Sequence, residues 1–201
     1  MSRAMRAWVL GVCSMLSMLA APEALARELK VLVMGDSLSA AYGLRPEQGW
    51  VALADAKSAT YRFHNASVSG ETTAGGRSRF AAELQRAKPD IVIIELGAND
   101  GLRGLPLKQM GANLGWMIGA SKAAGARVLL VGLQLPPNFG TYASDFQRSY
   151  VLISQRLGTG LIPHFLAPLG VERKWFQGDN LHPVAGAQPM LAKQVLKALD
   201  A

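Results

Sequence analysis

The sequence predicts an α/β fold: a three-layer, doubly wound sheet of about five parallel strands with helices on both faces. Three observations predict it. Short apolar runs alternate with longer stretches of helical spacing. The strongest runs are apolar at nearly every position, as strands buried on both faces must be. Those runs also stop at a glycine, where a strand can hand the chain to a loop.

The elements follow in order. Lys30–Met34 is a buried-type strand that ends at Gly35, and a helical stretch is expected within a few residues, which places Ser37 at a helix start. Trp50–Lys57 has helical spacing, and Tyr61–Ala66 alternates as a weaker strand. Thr73–Lys88 carries Phe80, Leu84 and Ala87 on one helical face. Ile91–Leu96 is β-branched and ends at Gly97. Lys108–Ala124 is a helix with Met110, Leu114, Met117 and Ile118 along one face, and Arg127–Leu133 is the fourth strand. Ala143–Leu157 is helical. Leu161–Pro163 is a short strand whose proline puts it at an edge or a strand end. Val184–Leu199 closes the chain as a helix, with Pro183 suited to its first turn.

Residues 1–26 stand apart. Arg3 and Arg6 form a basic start, Ala7–Ala21 is a mostly apolar run, Pro22 breaks it, and Ala24-Leu25-Ala26 is a small-residue cleavage signal. This is the pattern of a secretory signal peptide, and the apolar run is short of the roughly 20 residues a membrane-spanning helix needs. Cys13 is preceded by Val12 and sits inside the apolar run, which argues against a lipid-modified cysteine. The expectation is therefore an exported, periplasmic protein with one domain over residues 27–201 and no stable membrane insertion. Cys13 is the sole cysteine of the chain, so that domain would hold no thiol, disulfide or iron–sulfur cluster. The formal net charge is +7, but lysine and arginine are scattered with no run of four, so a solvated basic surface is read here rather than a nucleic-acid site. Three histidines, none paired four residues apart on a helix, give no metal-ligand cluster, and His64 and His164 lack a short-range acidic partner of the kind His182 has.

Four short words carry chemistry: Gly35-Asp36-Ser37-Leu38-Ser39, Ser69-Gly70-Glu71, Gly97-Ala98-Asn99-Asp100 and Asp179-Asn180-Leu181-His182. Each alone also fits something plain: an N-cap serine, a turn glycine, an Asn-Asp turn, a helix-entry aspartate. Each, however, is expected past the carboxyl end of a different strand, the edge at which doubly wound sheets bind ligands. Together they supply a nucleophile (Ser37), a base and its orienting acid (His182 and Asp179), and oxyanion donors (the N–H groups of Ser37 and Gly70 and the Asn99 amide). These are the parts of an acyl-transfer enzyme that needs neither metal nor cofactor. Gly70 and Gly75 have phosphate-loop spacing, but Gly76-Arg77 stands where Lys and Ser/Thr are required. Ser39 stands where a G-x-S-x-G elbow needs glycine.

On these words, with Leu135-Pro136-Pro137-Asn138-Phe139-Gly140 in addition, the chain resembles the SGNH hydrolases, also called the GDSL esterase/lipase family, over essentially all of residues 27–201. The similarity is strongest to its thioesterase, lysophospholipase and arylesterase members. The resemblance implies five parallel strands in flavodoxin-like order, the site roles just given, and an acyl groove bordered by residues 72–77 and 135–142. Leu102, Leu105, Leu135, Phe139 and Tyr142 are the expected groove residues, and they favour longer acyl groups. The expected partner is a small-molecule ester or thioester, and the protein is read as a monomer. Two other readings stay open. One is a carbohydrate O-acetyl esterase, the other a non-enzymatic protein that binds an anionic ligand on the same sheet.

Overall fold

The computed structural model describes residues 27–201. The expected signal peptide, residues 1–26, lies outside the described residues. Five strands, β1 (Leu29–Gly35), β2 (Tyr61–Asn65), β3 (Ile91–Glu95), β4 (Arg127–Val131) and β5 (Gly160–Ile162), form one sheet in the order β2-β1-β3-β4-β5. Every pairing is parallel. Order and direction are those of the flavodoxin-like doubly wound fold, as expected.

The apolar runs explain the centre of the sheet. Val31–Met34 and all of β3 are buried, and β4 is buried from Val128 onward. Each such side chain removed from water contributes about 1.5–3 kcal/mol, so these strands cannot sit at a wet edge. β2 is the edge that alternation predicts: Tyr61 is buried while Arg62 and Asn65 face water. Helices α1 (Trp50–Lys57) and α6 (Gln188–Leu199) pack together on one face, and α2 (Thr73–Ala87), α4 (Leu107–Ala123) and α5 (Thr141–Leu157) cover the other. Met110, Leu114, Met117 and Ile118 of α4 are all buried, the stripe read from the sequence. Gly111 and Gly115 face α5, where a Cβ would stand at ordinary contact distance, 3.6 Å from Ile153 and 3.8 Å from Leu157.

Four expectations need correction. No regular helix follows Ser37. The Ala40 N–H donates to the Asp36 carbonyl at 2.9 Å, one helical turn, and Ala41 then adopts φ 57°, which stops propagation. The closing helix starts at Gln188 rather than Val184, behind a 3₁₀ turn at Ala185–Ala187. Pro183 pairs with Phe176 in an antiparallel bridge, and the proline in the first turn of the helix is Pro189. β4 ends at Val131, two residues early: the Gly132 N–H makes the last bond to β5, at the Ile162 carbonyl, and the Gly132 carbonyl then accepts from Phe165, past the end of β5. One helix is unexpected: α3 (Ala98–Leu102) comes straight after β3, concealed by the Asn-Asp word, since both residues favour turns.

Candidate active site

The sheet order reverses direction between β1 and β3, and ligands of doubly wound folds bind in the crevice this opens. Ser37 lies just beyond β1 and Asn99 just beyond β3. A pocket of about 230 Å³ opens there, lined by Asp36, Ser37, Leu38, Tyr42, Ser69, Gly70, Ala98, Asn99, Leu102, Leu181 and His182. The four words thus meet around one cavity.

Ser37 Oγ is 2.8 Å from His182 Nε2. On the far side of the ring, His182 Nδ1 is 2.7 Å from Asp179 Oδ2. Asp179 Oδ1 accepts from the backbone N–H groups of Leu181 at 2.9 Å and His182 at 3.0 Å. The three-residue spacing therefore folds into a tight loop, with Asn180 at φ 59° making its corner. Those backbone donors, with the His182 ring, hold the Asp179 carboxyl at about 2, below its ordinary range. A carboxylate ionised at all working pH values fixes the imidazole tautomer, so that Nε2 faces the Ser37 hydroxyl as an acceptor.

The backbone N–H groups of Ser37 and Gly70 border the same pocket, with no protein acceptor among the described residues. Gly70 adopts φ +78°, a conformation that side-chain-bearing residues rarely take. The Asn99 side chain is aimed by two acceptors: its Nδ2 donates to Asp36 Oδ2 at 3.1 Å and to the Glu71 carbonyl at 3.0 Å. Gly97 turns the chain into α3 at φ +122°, and a Cβ there would lie 2.2 Å from the Tyr150 hydroxyl.

Behind Ser37 lies a pair of buried acids that the motif reading leaves without a role. Asp36 Oδ1 accepts from the Leu38 N–H at 3.1 Å, and burial raises its carboxyl to about 6. Glu95, the last residue of β3, is wholly buried. Its Oε2 accepts from Ser39 Oγ at 2.8 Å, and its Oε1 has no partner among the described residues. Burial first, then the neighbouring Asp36, pushes Glu95 well above the carboxylate range. A protonated Glu95 avoids the cost of an unpaired buried charge.

Of the expected groove residues, only Leu102 lines the pocket. Leu105, Phe139 and Tyr142 form a neighbouring group, in which the Tyr142 hydroxyl donates to the Leu105 carbonyl at 2.6 Å. Leu135 is a core residue, 6% exposed. Gly101 of α3 makes room for it: a Cβ there would lie 2.9 Å from the Leu135 side chain. The pocket also takes nothing from residues 72–77 or 135–142, since the first stretch is mostly the opening of α2 and the second a 3₁₀ turn leading into α5. The walls come instead from Leu38, Tyr42 and Leu181, which lie one, five and one residues from Ser37 or His182; that nearness is the signal that could have found them. The Tyr42 ring lies 4.4 Å from the His182 ring. His64 and His164 are away from the pocket; His64 Nε2 sits 3.0 Å from Arg86.

With this geometry in place, comparison with known proteins decides the family. The model of the GDSL-like Lipase/Acylhydrolase family matches residues 33–187. The chain belongs to that family. Esterase TesA of Pseudomonas aeruginosa is 46% identical over 200 residues, spanning 97% of this chain and 98% of that protein. Thioesterase 1/protease 1/lysophospholipase L1 of Escherichia coli K12 is 36% identical, spanning 85% of this chain and 83% of that protein. Among solved structures, the esterase EstA from Pseudoalteromonas sp., inhibited by monoethylphosphonate, aligns with a TM-score of 0.82 at 39% identity, over 86% of this chain and 97% of that one. As a GDSL-family acylhydrolase, the protein is a serine esterase whose substrates are small-molecule esters.

Proposed function

We propose that Ser37 is the nucleophile, His182 its general base and Asp179 the residue that orients the base, in a hydrolase of carboxylic esters and thioesters. The observation that carries this reading is the 2.8 Å contact between Ser37 Oγ and His182 Nε2 inside the pocket. Ser37 Oγ attacks the substrate carbonyl carbon while its proton passes to His182 Nε2. The carbonyl oxygen takes up negative charge and receives hydrogen bonds from the Ser37 and Gly70 N–H groups and from the Asn99 amide, which gives up one of its two protein acceptors to make the bond. On collapse, the bond to the leaving oxygen or sulfur breaks, His182 returns the proton to that atom, and an acyl group remains on Ser37. Water, deprotonated by the same imidazole, then releases the carboxylic acid and restores the serine. All steps are carried by side chains and backbone of this chain.

The pocket volume speaks to the acyl group. About 230 Å³ is below the roughly 300–1,000 Å³ of pockets that enclose drug-sized ligands. It holds the ester and the first carbons of an acyl chain. A longer chain would run over the exposed side chains of Tyr42, Leu102 and Leu181 at the mouth. Export to the periplasm through removal of residues 1–26, and action as a monomer, complete the proposal.

Ser37→Ala should lower kcat on an aryl ester at least about 10⁴-fold while leaving the thermal midpoint in place. A serine-reactive phosphonate should label Ser37 and no other residue. Retained turnover in the variant, or labelling elsewhere, defeats the assignment. A series of acyl lengths on the same leaving group separates the neighbouring activity: a clear preference for acetyl over octanoyl would point to an O-acetyl esterase.

A further inference from the structure

Ser37 and His182 belong to separate loops, one following β1 and one preceding α6, and their meeting depends on how those loops are held together. We propose that Gln177 is a positioning residue that clasps the two loops in register through its side-chain amide. The proposal rests on the catalytic roles given above for Ser37 and His182.

The Gln177 Nε2 donates to the Tyr42 carbonyl at 2.8 Å and to the Pro183 carbonyl at 3.1 Å. One carbonyl lies five residues past Ser37, the other directly after His182. Both amide hydrogens are thus spent on one bond to each loop. The backbone reinforces the histidine side: the Gln177 N–H donates to the His182 carbonyl at 2.8 Å. Arg173 anchors the clasp from behind, with Nη1 donating to the Gln177 carbonyl at 2.7 Å. Gly43 is shaped to admit it. A Cβ at that position would lie 2.3 Å from Gln177 Oε1, and its φ of +72° already favours glycine. The Tyr42 ring, on the same segment, rests 4.4 Å from the imidazole.

The bonds to the Asp179 carboxylate are local, inside residues 179–182, and the further ties of this loop, Gln177 N–H to the His182 carbonyl and Asn180 N–H to the Gln177 carbonyl, use only the Gln177 backbone. The Ser37–His182 contact is not local. Removing the Gln177 amide therefore leaves the Asp179–His182 pair intact and frees the nucleophile loop. Pro183 keeps a second donor in Gln188 Nε2 at 3.4 Å, whereas the Tyr42 carbonyl loses its partner. A displacement of about 1 Å between reacting groups costs up to about 10²-fold in rate, which sets the size of the effect.

The test compares Gln177→Ala and Gln177→Glu with the unaltered protein. Glutamate keeps the shape but has no N–H to donate. Both variants should lose about 10- to 10²-fold in kcat and in the rate of Ser37 phosphonylation, with KM on a short aryl ester within about twofold. The downfield proton resonance of His182 Nδ1–H, bonded to Asp179, should persist. Unchanged kcat and phosphonylation in either variant would overturn the clasp. So would loss of that resonance together with the rate, because Gln177 would then serve only to fold the histidine loop. A protein whose unaltered form is not phosphonylated at Ser37 would instead contradict the catalytic assignment itself.

Discussion

Asn99 shows how much a single residue in this site depends on its neighbours. Without substrate its two amide hydrogens bond to Asp36 Oδ2 and to the Glu71 carbonyl, so one of these bonds must yield before Asn99 can donate to an oxyanion. The remaining bond keeps the side chain at the pocket while the other hydrogen turns to the developing charge. Truncation at Asn99 removes a donor that matters most in the transition state. Asn99→Ala should therefore lower kcat by about 10²–10³ with little change in KM, as measured by steady-state kinetics on an aryl ester. A loss under about threefold would take Asn99 out of the oxyanion site. Asn99, like Ser37, is legible as a candidate because its word follows directly on a strand, and Gly70 and His182 because their words fall in loops that follow the carboxyl ends of β2 and β5. Gln177 and Tyr42 are not legible in that way. Gln177 acts through backbone carbonyls, one of them 135 residues away, and no residue spacing records such a bond. Leu135 misleads for a related reason: its neighbours suggest a groove, but the space left by Gly101 draws it into the core.

At the scale of elements, the strands read best because burial on both faces leaves only apolar residues acceptable. The segments that join them read less well. The turn after Ser37 and the start of α6 are set by single positive dihedrals and tertiary bonds such as the Pro183–Phe176 bridge. Gly97 is the sharpest of these junctions. It combines φ +122° with a would-be Cβ at 2.2 Å from the Tyr150 hydroxyl and 3.2 Å from Met110 Sδ. The Tyr150 hydroxyl cannot retreat freely, because it is buried and donates to the Leu96 carbonyl at 3.0 Å. Gly97→Ala should cost about 1–3 kcal/mol in backbone strain and about 1–3 kcal/mol in overpacking, measured by denaturant unfolding. Adding Tyr150→Phe removes the clashing oxygen, so it should recover part of the second cost and none of the first. A single variant within about 0.5 kcal/mol of the unaltered protein would show that α3 can shift without penalty.

For the whole molecule, the chain places two carboxyls in its core directly beneath the nucleophile. In the unfolded chain both lose their protons near pH 4. In the native state Asp36 keeps its proton until about 6, and Glu95 keeps its own well beyond the carboxylate range. Above pH 4 the folded state thus binds more protons than the unfolded state, and stability must fall as pH rises through that window. Asp179 works in the opposite sense at lower pH: its carboxyl is held at about 2, so its contribution is lost as pH drops from about 4 towards 2. Its exposure to solvent keeps that contribution small. The buried pair should therefore dominate, and the thermal midpoint should decline from pH 5 to pH 8. Glu95→Gln removes the group that resists ionisation while keeping an oxygen for the Ser39 hydroxyl to bond. Its midpoint should change less steeply over the same range, with the largest gain over the unaltered protein at the alkaline end. Parallel curves for the two proteins across that range would mean that Glu95 does not set the pH response of the fold, and that the buried pair imposes no proton-linked cost on the site it supports.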